Sequence, residues 1–420
     1  MKVLIYSTYR PDMHDGASTS GRGLVEELRR HKVDVTVCTT DRGWLQNHID
    51  GHNDKLENCH LFHAWFSHIL DISPSLMLYF CKTIKSFDLI HFRGVFSFPT
   101  VFGSFVAQWF KKPYIISPVG DRIPFWDERS AISHGTIKYF YFKLLIRMVL
   151  MRASYIVCTS EMELNRILSM LGNNNRGTSC ASESTFGIAI PDGIAIPNAL
   201  DENIYLAGIG HVSRAVVQTE LGIACDKSIY LFLGRLSREK ALEFLLEAWE
   251  KVVGKKKNSV LVIAGGGRKL HEEYIKSLRK IVATMKFPKS VIFPGPVSGE
   301  LKLALLRYSC CLLLPSYSES FGMVVLEALF NGIPVLASKG TPWECLENEK
   351  LGRWLPWDTD LWAEAMINVA NMMESTGQAF LLKSRKWITE NFGWEKTTKK
   401  YIEIYNQVVN RTLESRKRRG

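Results

Sequence analysis

The sequence predicts an α/β protein of two domains, each built on a doubly wound parallel sheet. Short apolar runs of strand length alternate with helix-like stretches in both halves of the chain, and glycine ends several of these runs. The length of 420 residues exceeds what one hydrophobic core usually holds, so two cores are expected. A composition of 46% hydrophobic and 23% charged residues is typical of a globular chain.

The first half begins with the pattern that opens such a domain. Residues 2–7 form an apolar, strand-like run, residues 8–20 are rich in Gly, Ser, Thr and Asp, and residues 21–30 predict a helix. A further strand and helix are expected at residues 155–160 and 161–171. A strand, a loop and a helix in this order indicate a parallel doubly wound domain.

The second half repeats the alternation. Strand-like runs are predicted at residues 228–233, 260–264, 291–293, 311–314 and 334–337. Four glycines stand at strand ends: Gly234, Gly265, Gly295 and Gly322. Ligands bind outside the carboxyl ends of the strands in doubly wound sheets. We therefore expect these glycines to line one edge of a cleft that the two domains face.

The segment 311–338, CLLLPSYSESFGMVVLEALFNGIPVLAS, places two glutamates around a turn that opens a helix. Glu319 lies on the loop and Glu327 about one turn into the helix, so both can face one ligand. At Gly322 the strand passes into the helix, and the free N–H groups and dipole of a helix start attract anions and sugar hydroxyl oxygens. The alternative interpretation is electrostatic, because glutamate early in a helix is favoured without any ligand.

A basic segment follows the strand at residues 228–233. Its sequence, GRLSREK at residues 234–240, precedes a helix predicted at residues 242–253. Arg235 and Lys240 are the candidate cations, and fixed cations stabilise negative charge that develops during a reaction. A solvated charged surface is the alternative interpretation of this cluster.

Taken together, these segments resemble the retaining glycosyltransferases of family 4, which have the GT-B fold. The spacing of Glu319 and Glu327 matches the E-x7-E pattern of that family, residues 332–335 match its G-x-P-V strand, and residues 234–240 match its G-R-L-x-x-x-K segment. One difference is visible, because the family usually has a glycine where this chain has Ala241. The resemblance extends over nearly the whole chain and is strongest in residues 228–342.

The resemblance implies roles for the donor side of the site. Arg235 and Lys240 would clamp the nucleotide diphosphate without a metal, Glu319 would contact hydroxyls of the transferred sugar, and Glu327 would bind the nucleotide ribose. Backbone groups of a further set would line the donor site: Gly16, Gly234, Gly295, Phe321, Gly322 and Met323.

The acceptor side is marked by weaker signals. Residues 88–91 resemble the D-(V/I)-V-H strand end of the family, which makes His91 a candidate, although a core histidine is the alternative. Many relatives have a histidine or arginine after the next strand, where this chain has Val-Gly-Asp-Arg at residues 119–122. Candidate substitutes for that group are Asp121, Arg122 and His134.

The resemblance therefore implies a metal-independent, retaining hexosyltransferase that uses a nucleotide-diphosphate sugar and no cofactor. An oxygen of the departing diphosphate would take the proton of the acceptor hydroxyl. The expected domains are an acceptor-binding domain at residues 1–198, a donor-binding domain at 199–385, and closing helices with a basic tail at 386–420 that cross back to the first domain. The expected acceptor is a glycan or lipid-linked oligosaccharide of cell-surface polysaccharide synthesis.

Charge and cysteine content bear on location and partners. The nine cysteines show no metal-ligand spacing, so reduced thiols in the cytoplasm are the simplest account. The net charge of +11 suits anionic lipid, nucleotide or nucleic acid equally. The uncharged segment 94–110 is too short and too interrupted to span a membrane, so it predicts a buried helix. With Lys111, Lys112 and residues 136–152, it also suits peripheral contact with the inner face of a cell membrane.

Two other functions remain open from the sequence. A DNA glycosyltransferase of the same fold fits the basic pI of about 9.1, but the basic residues are dispersed and form no stripe, so nucleic acid is disfavoured. A noncatalytic sugar-binding protein fits the missing loop histidine. The presence of Arg235, Lys240, Glu319 and Glu327 argues against it.

Overall fold

The chain forms two compact units in the computed structural model. The structure describes residues 1–7, 16–41, 58–65, 71–119, 142–172, 191–209, 212–266 and 271–418. The first unit comprises Met1–Ala199 together with Trp394–Gly420, and the second comprises Leu200–Gly393. The chain therefore passes from the first unit to the second and back again.

The first unit contains a parallel sheet that has seven strands among the described residues. They are β1 Lys2–Ser7, β2 Asp34–Thr40, β3 Cys59–Phe62, β4 Leu89–Arg93, β5 Tyr114–Ser117, β6 Tyr155–Cys158 and β7 Gly193–Ala195. Their order is β3-β2-β1-β4-β5-β6-β7, and each neighbouring pair is parallel. The direction of winding reverses between β1 and β4, which is the doubly wound topology that the sequence predicts.

Helices cover both faces of this sheet. They are α1 Gly16–Arg30, α2 Pro74–Thr83, α3 Phe98–Trp109, α4 Arg147–Met151, which follows a π-helical turn at Phe142–Ile146, and α5 Glu161–Leu171. Leucines and valines of α2, α3, α4 and α5 pack with Tyr6 and Phe92 on one face. Those of α1 pack with Val3 and Ile5 on the other. Successive side chains of β1 point to opposite faces of the sheet and therefore contribute to both layers of the core.

Helix α1 begins five residues before the predicted position. Residues 16–20 were expected in a loop because Gly, Ser and Thr favour loops, yet they form the first turns of the helix. Ser18 and Ser20 are buried there, and the Ser20 hydroxyl donates a 2.6 Å hydrogen bond to Asn198 Oδ1. Tertiary contacts thus override the weak helix propensity of this stretch.

The second unit contains a parallel sheet of six described strands. They are β8 Ser228–Leu233, β9 Ser259–Ala264, β10 Val291–Gly295, β11 Ser309–Leu314, β12 Val335–Ser338 and β13 Gly352–Leu355. Their order is β10-β9-β8-β11-β12-β13, and every pair is parallel. The winding reverses between β8 and β11. The predicted fold class, two doubly wound parallel sheets, is confirmed.

Helices again flank the sheet. They are α6 Glu202–Ile209, α7 Arg214–Leu221, α8 Leu242–Lys255, α9 Glu272–Thr284, α10 Gly299–Tyr308, α11 Met323–Phe330, α12 Cys345–Asn348 and α13 Thr359–Phe392. Helices α8 and α9 pack on one face with Tyr230 and Phe232, and α10 and α11 pack on the other with Leu231 and Val262. Each of the six described strands contributes apolar side chains to these two core clusters.

Helix α14, Trp394–Lys417, returns to the first unit. Its Tyr401, Ile404, Tyr405 and Val408 lie in the core beneath Val3 and Ile5 of β1. The close approach to α1 requires a glycine, because a Cβ at Gly23 would lie 2.2 Å from the Trp394 ring. The sequence predicted closing helices that cross back, and α14 is such a helix.

Within the described parts of the chain, no helix has both the length and the apolar character needed to cross a bilayer.

Candidate functional site

The glutamate segment forms a strand, a loop and a helix. Strand β11 ends at Leu314, and α11 begins directly after Gly322. Gly322 has φ +88°, a conformation that suits glycine, and no side chain caps the helix there. The Trp343 indole N–H donates to the Phe321 carbonyl and the two rings pack at 5.1 Å, which fixes the turn from below. The uncapped helix start is the feature that favours an anionic group.

Glu319 lies on this loop and pairs with Lys240. The Lys240 ammonium donates to Glu319 Oε2, and the two side chains are only 11% and 17% exposed. The Ser316 hydroxyl lies 3.4 Å from the same oxygen. The structure thus brings together two residues that are 79 positions apart and that the sequence predicted to share one site.

A main-chain hydrogen bond joins the basic segment to the glutamate loop. The Tyr317 N–H donates to the Glu239 carbonyl at 2.8 Å, one residue before Lys240. Lys240 ends a short 3-10 turn, Arg238–Lys240, that follows β8, and Ala241 then takes φ +51° to start α8. Ala241, where the resemblance leads one to expect a glycine, thus adopts the left-handed conformation. Arg235 lies exposed to solvent in the same segment.

Glu327 is held by two residues that the sequence patterns did not single out. Lys302 on α10 lies 3.0 Å from Glu327 Oε1 and 2.9 Å from Oε2. Tyr205 on α6 also hydrogen-bonds to this carboxylate. The pKa of the Tyr205 phenol is raised, mainly by burial and secondly by the negative charge of Glu327. Lys302 belongs to no recognised motif. The only sequence signal that could have pointed to it is its position after Gly295, the glycine that ends β10.

The glycines at strand ends meet at one edge of the sheet. The Gly234 N–H donates to the Ala264 carbonyl at 3.0 Å, and the Gly265 N–H donates to the Gly295 carbonyl at 2.8 Å. A Cβ at Gly265, whose φ is +141°, would lie 1.8 Å from the Gly234 oxygen. Only glycine permits this approach of the turns that follow β8 and β9.

The structure favours the core interpretation of His91 over the acceptor interpretation. The imidazole is fully buried, with Nδ1 2.6 Å from the Tyr405 hydroxyl and Nε2 2.8 Å from the Ser117 hydroxyl. Burial and the nearby Arg93 charge lower the pKa of His91 well below its usual value, so the ring is neutral. A side chain with no exposed surface and both nitrogens bonded does not reach an acceptor.

The remaining predicted residues are placed only in part. Asp121, Arg122 and His134 lie outside the described residues. Gly16, expected in a loop, is the first residue of α1. In the part of the chain that the structure describes, no three His, Cys, Asp or Glu side chains form a group that could hold a metal ion.

The class of fold is that of the GT-B proteins. A structure of Anabaena HepE in complex with UDP and glucose superposes with a TM-score of 0.69 over 97% of this chain and 100% of that chain, at 16% identity. Sucrose-phosphate synthase from Thermosynechococcus elongatus superposes with a TM-score of 0.70 over 97% of this chain and 98% of that chain, at 17% identity. At such identities the likeness establishes the shared fold.

Sequence comparison is more specific about the second unit. Residues 214–374 match the family described as glycosyl transferases group 1. A D-inositol 3-phosphate glycosyltransferase of Saccharomonospora viridis is 30% identical over 204 residues, 47% of each chain. An uncharacterized glycosyltransferase of Methanocaldococcus jannaschii is 29% identical over 189 residues, 44% of this chain and 46% of that protein. This chain thus spans about half the length of the curated relatives it matches.

Proposed function

We propose that this protein is a glycosyltransferase that moves a sugar from a nucleoside-diphosphate sugar to a hydroxyl group of an acceptor. The observation that carries the proposal is the contact of Lys240 with Glu319 at the turn that opens α11. It joins a cation suited to a diphosphate with a carboxylate suited to sugar hydroxyls. The match of residues 214–374 to glycosyl transferases group 1 and the shared fold with HepE support it.

Each residue has a distinct part in the proposed donor site. Glu319 accepts hydrogen bonds from hydroxyls of the transferred sugar, and Glu327 accepts them from the nucleotide ribose. Backbone N–H groups at Gly322 and Met323 face the distal phosphate at the uncapped helix start. Arg235 is exposed, and its long side chain can reach the diphosphate by a change of rotamer.

Positive charge at the leaving group drives the proposed reaction. As the glycosidic bond breaks, the departing diphosphate gains negative charge, which Arg235 and Lys240 stabilise. No metal ion is needed in this scheme. We propose retention of configuration: the acceptor oxygen attacks from the face that the diphosphate leaves, and a phosphate oxygen takes the acceptor proton.

The proposed acceptor is a glycan or lipid-linked oligosaccharide of cell-surface polysaccharide synthesis, used on the cytoplasmic side of a membrane. Support comes from the helices α2, α3 and α4 with the adjoining turns Ile84–Ser86 and Phe142–Ile146, here named the acid-free helices. They contain Lys82, Lys85, Lys143 and Arg147 and not one Asp or Glu. Basic side chains near an anionic bilayer each contribute about 1 kcal/mol of attraction.

Large apolar side chains project from the same helices. Trp109 is 84% exposed and Leu144 is 70% exposed, while Phe105 and Leu78 are also exposed. Apolar side chains beside basic ones are the combination by which peripheral proteins enter the headgroup region. Trp109, Phe105 and Leu144 lie in segments that the sequence associates with either a buried layer or a membrane surface.

Co-sedimentation tests the membrane part. We expect binding to vesicles of phosphatidylglycerol and phosphatidylcholine but not of phosphatidylcholine alone, and we expect salt to weaken it. Trp109→Ser should reduce binding, whereas Trp357→Ser, at an exposed tryptophan of the second unit, should not. Equal binding to both vesicle types at low salt would remove the membrane proposal and leave the transferase proposal intact.

A panel of donors tests the transferase itself. UDP-, GDP- and ADP-sugars are screened for thermal stabilisation, since a ligand that binds the folded state raises its stability. Release of nucleoside diphosphate from the stabilising donor is then measured with acceptor glycans. Thermal stabilisation by a donor with no release of nucleoside diphosphate in the presence of any acceptor would favour the noncatalytic sugar-binding alternative. No stabilisation by any donor would refute the proposed donor site.

A further inference from the structure

Lys302 is a basic side chain that contacts the glutamate segment from outside every motif. It lies on α10, and its ammonium group is nearly equidistant from the two carboxylate oxygens of Glu327, at 3.0 and 2.9 Å. The Lys302 and Glu327 side chains are 22% and 12% exposed. An ion pair whose side chains are so little exposed to solvent differs from a surface pair, whose long side chains are only weakly fixed in position.

Tyr205 completes the support of this carboxylate. The side chain is almost fully buried on α6 and hydrogen-bonds to Glu327. The carboxylate is therefore held by two groups from helices other than its own. An ionised carboxylate has about four lone-pair directions, so two such contacts leave capacity for hydroxyl donors from a ligand.

The pairing also resolves an electrostatic conflict at the helix start. Two unpaired glutamates beside the start of α11 would repel an anionic diphosphate, which the helix itself attracts. In the structure each glutamate has one lysine, Lys240 for Glu319 and Lys302 for Glu327. Each glutamate thus has a lysine charge beside it, so the two pairs add no net negative charge to the site.

We propose that Lys302 is a positioning residue for the nucleotide ribose. It fixes the Glu327 carboxylate so that the oxygens accept hydrogen bonds from the ribose hydroxyls of a ribonucleoside diphosphate. The inference rests on the proposed function, in which Glu327 reads the ribose. Its consequence is selectivity for ribonucleotides over nucleotides that lack these hydroxyls.

The experiment measures binding of the full chain to UDP, GDP and ADP by calorimetry, each beside its 2′,3′-dideoxy counterpart. We expect the wild type to bind the preferred ribonucleotide at least about tenfold more tightly than the dideoxy form, as hydrogen bonds to a charged group allow. Lys302→Met should lose most of this selectivity by weakening only the ribonucleotide. Lys302→Arg, which keeps the cation, should retain most of it.

Two controls separate positioning from folding. Lys276→Met removes an exposed lysine that pairs with Glu273 in the same unit, and it should bind both nucleotides as the wild type does. Unchanged binding of the dideoxy form by Lys302→Met reports an intact site. If that variant does not fold, Lys302→Gln and Tyr205→Phe serve instead, and each should lower selectivity.

The outcomes distinguish this inference from the function on which it rests. Equal wild-type affinity for the two forms, or no binding of any diphosphate, overturns the ribose role of Glu327 and the inference with it. A selective wild type whose Lys302 variants keep full selectivity, or weaken both forms equally, overturns the inference alone. In that case the Lys302–Glu327 pair would only stabilise the fold.

Discussion

Replacing Lys240 with methionine tests the link between the buried ion pair and the proposed chemistry. Methionine keeps much of the length of lysine but removes its charge. Because the Lys240 and Glu319 side chains are only 11% and 17% exposed, the substitution also leaves a mostly buried carboxylate without its cation. Two separate losses are therefore expected, one in turnover and one in stability.

The two magnitudes follow from different environments. Losing one fixed donor to developing negative charge lowers turnover by about a hundredfold or more. Breaking a fully buried pair costs about 3–5 kcal/mol and an exposed pair at most about 1 kcal/mol, so this partly solvated pair should cost about 1–3 kcal/mol of unfolding free energy. Steady-state rates of sugar transfer and urea unfolding curves measure the two quantities.

A double variant separates the two effects. Lys240→Met with Glu319→Gln should recover much of the stability, because no unpaired carboxylate remains, while turnover stays low. Lys276→Met, at an exposed pair, should change neither quantity measurably. If folded Lys240→Met keeps turnover within tenfold of the wild type, the assignment of Lys240 to the leaving diphosphate is wrong.

Three further predictions concern strain, metals and pH. Ala241→Gly should raise the unfolding free energy by about 0.5–1 kcal/mol, because left-handed backbone disfavours alanine. The matched change Ala248→Gly within α8 should lower the unfolding free energy by about 1 kcal/mol. A lower urea midpoint for Ala241→Gly would contradict the strain argument. Sugar transfer should persist in EDTA, whereas complete loss that Mg²⁺ restores would refute the metal-independent scheme. Because burial lowers the pKa of His91, this histidine takes up a proton at higher pH in the unfolded chain than in the folded one. Stability should therefore fall as pH drops below about 6.5, by at most about 1.4 kcal/mol per pH unit, and His91→Asn should flatten this slope in urea midpoints. An unchanged slope in that variant would assign the pH dependence to other groups.

Local patterns were sufficient to predict the fold class and to select the two segments that meet at the candidate site. Strand β8 was predicted at its observed bounds, 228–233, because a continuous apolar run before a glycine describes a buried parallel strand. The glutamate and basic segments each lie at a strand end, so a doubly wound sheet necessarily brings their turns to one edge. The contact of Lys240 with Glu319 follows from that topology.

Long-range packing explains what the patterns could not predict. Lys302 lies on α10 in a stretch typical of an amphipathic helix, and only the placement of α10 against α11 makes it the partner of Glu327. His91 resembled a strand-end ligand, but its burial depends on Tyr405, which is 314 positions away in sequence. Neither contact leaves a periodic signal in its own segment.

The return of α14 to the first unit has a consequence for the order in which the chain folds during synthesis. The apolar face of β1 that carries Val3 and Ile5 packs against α1 and also against Tyr401 and Tyr405, which are translated after the whole second unit. The two ends of the second unit already meet, since the Leu200 N–H donates to the Phe392 carbonyl at 3.0 Å. The second unit can therefore close on itself while one face of the first sheet still lacks the part of its cover that α14 supplies. That interval is where a chaperone would be needed most, because uncovered apolar strands aggregate.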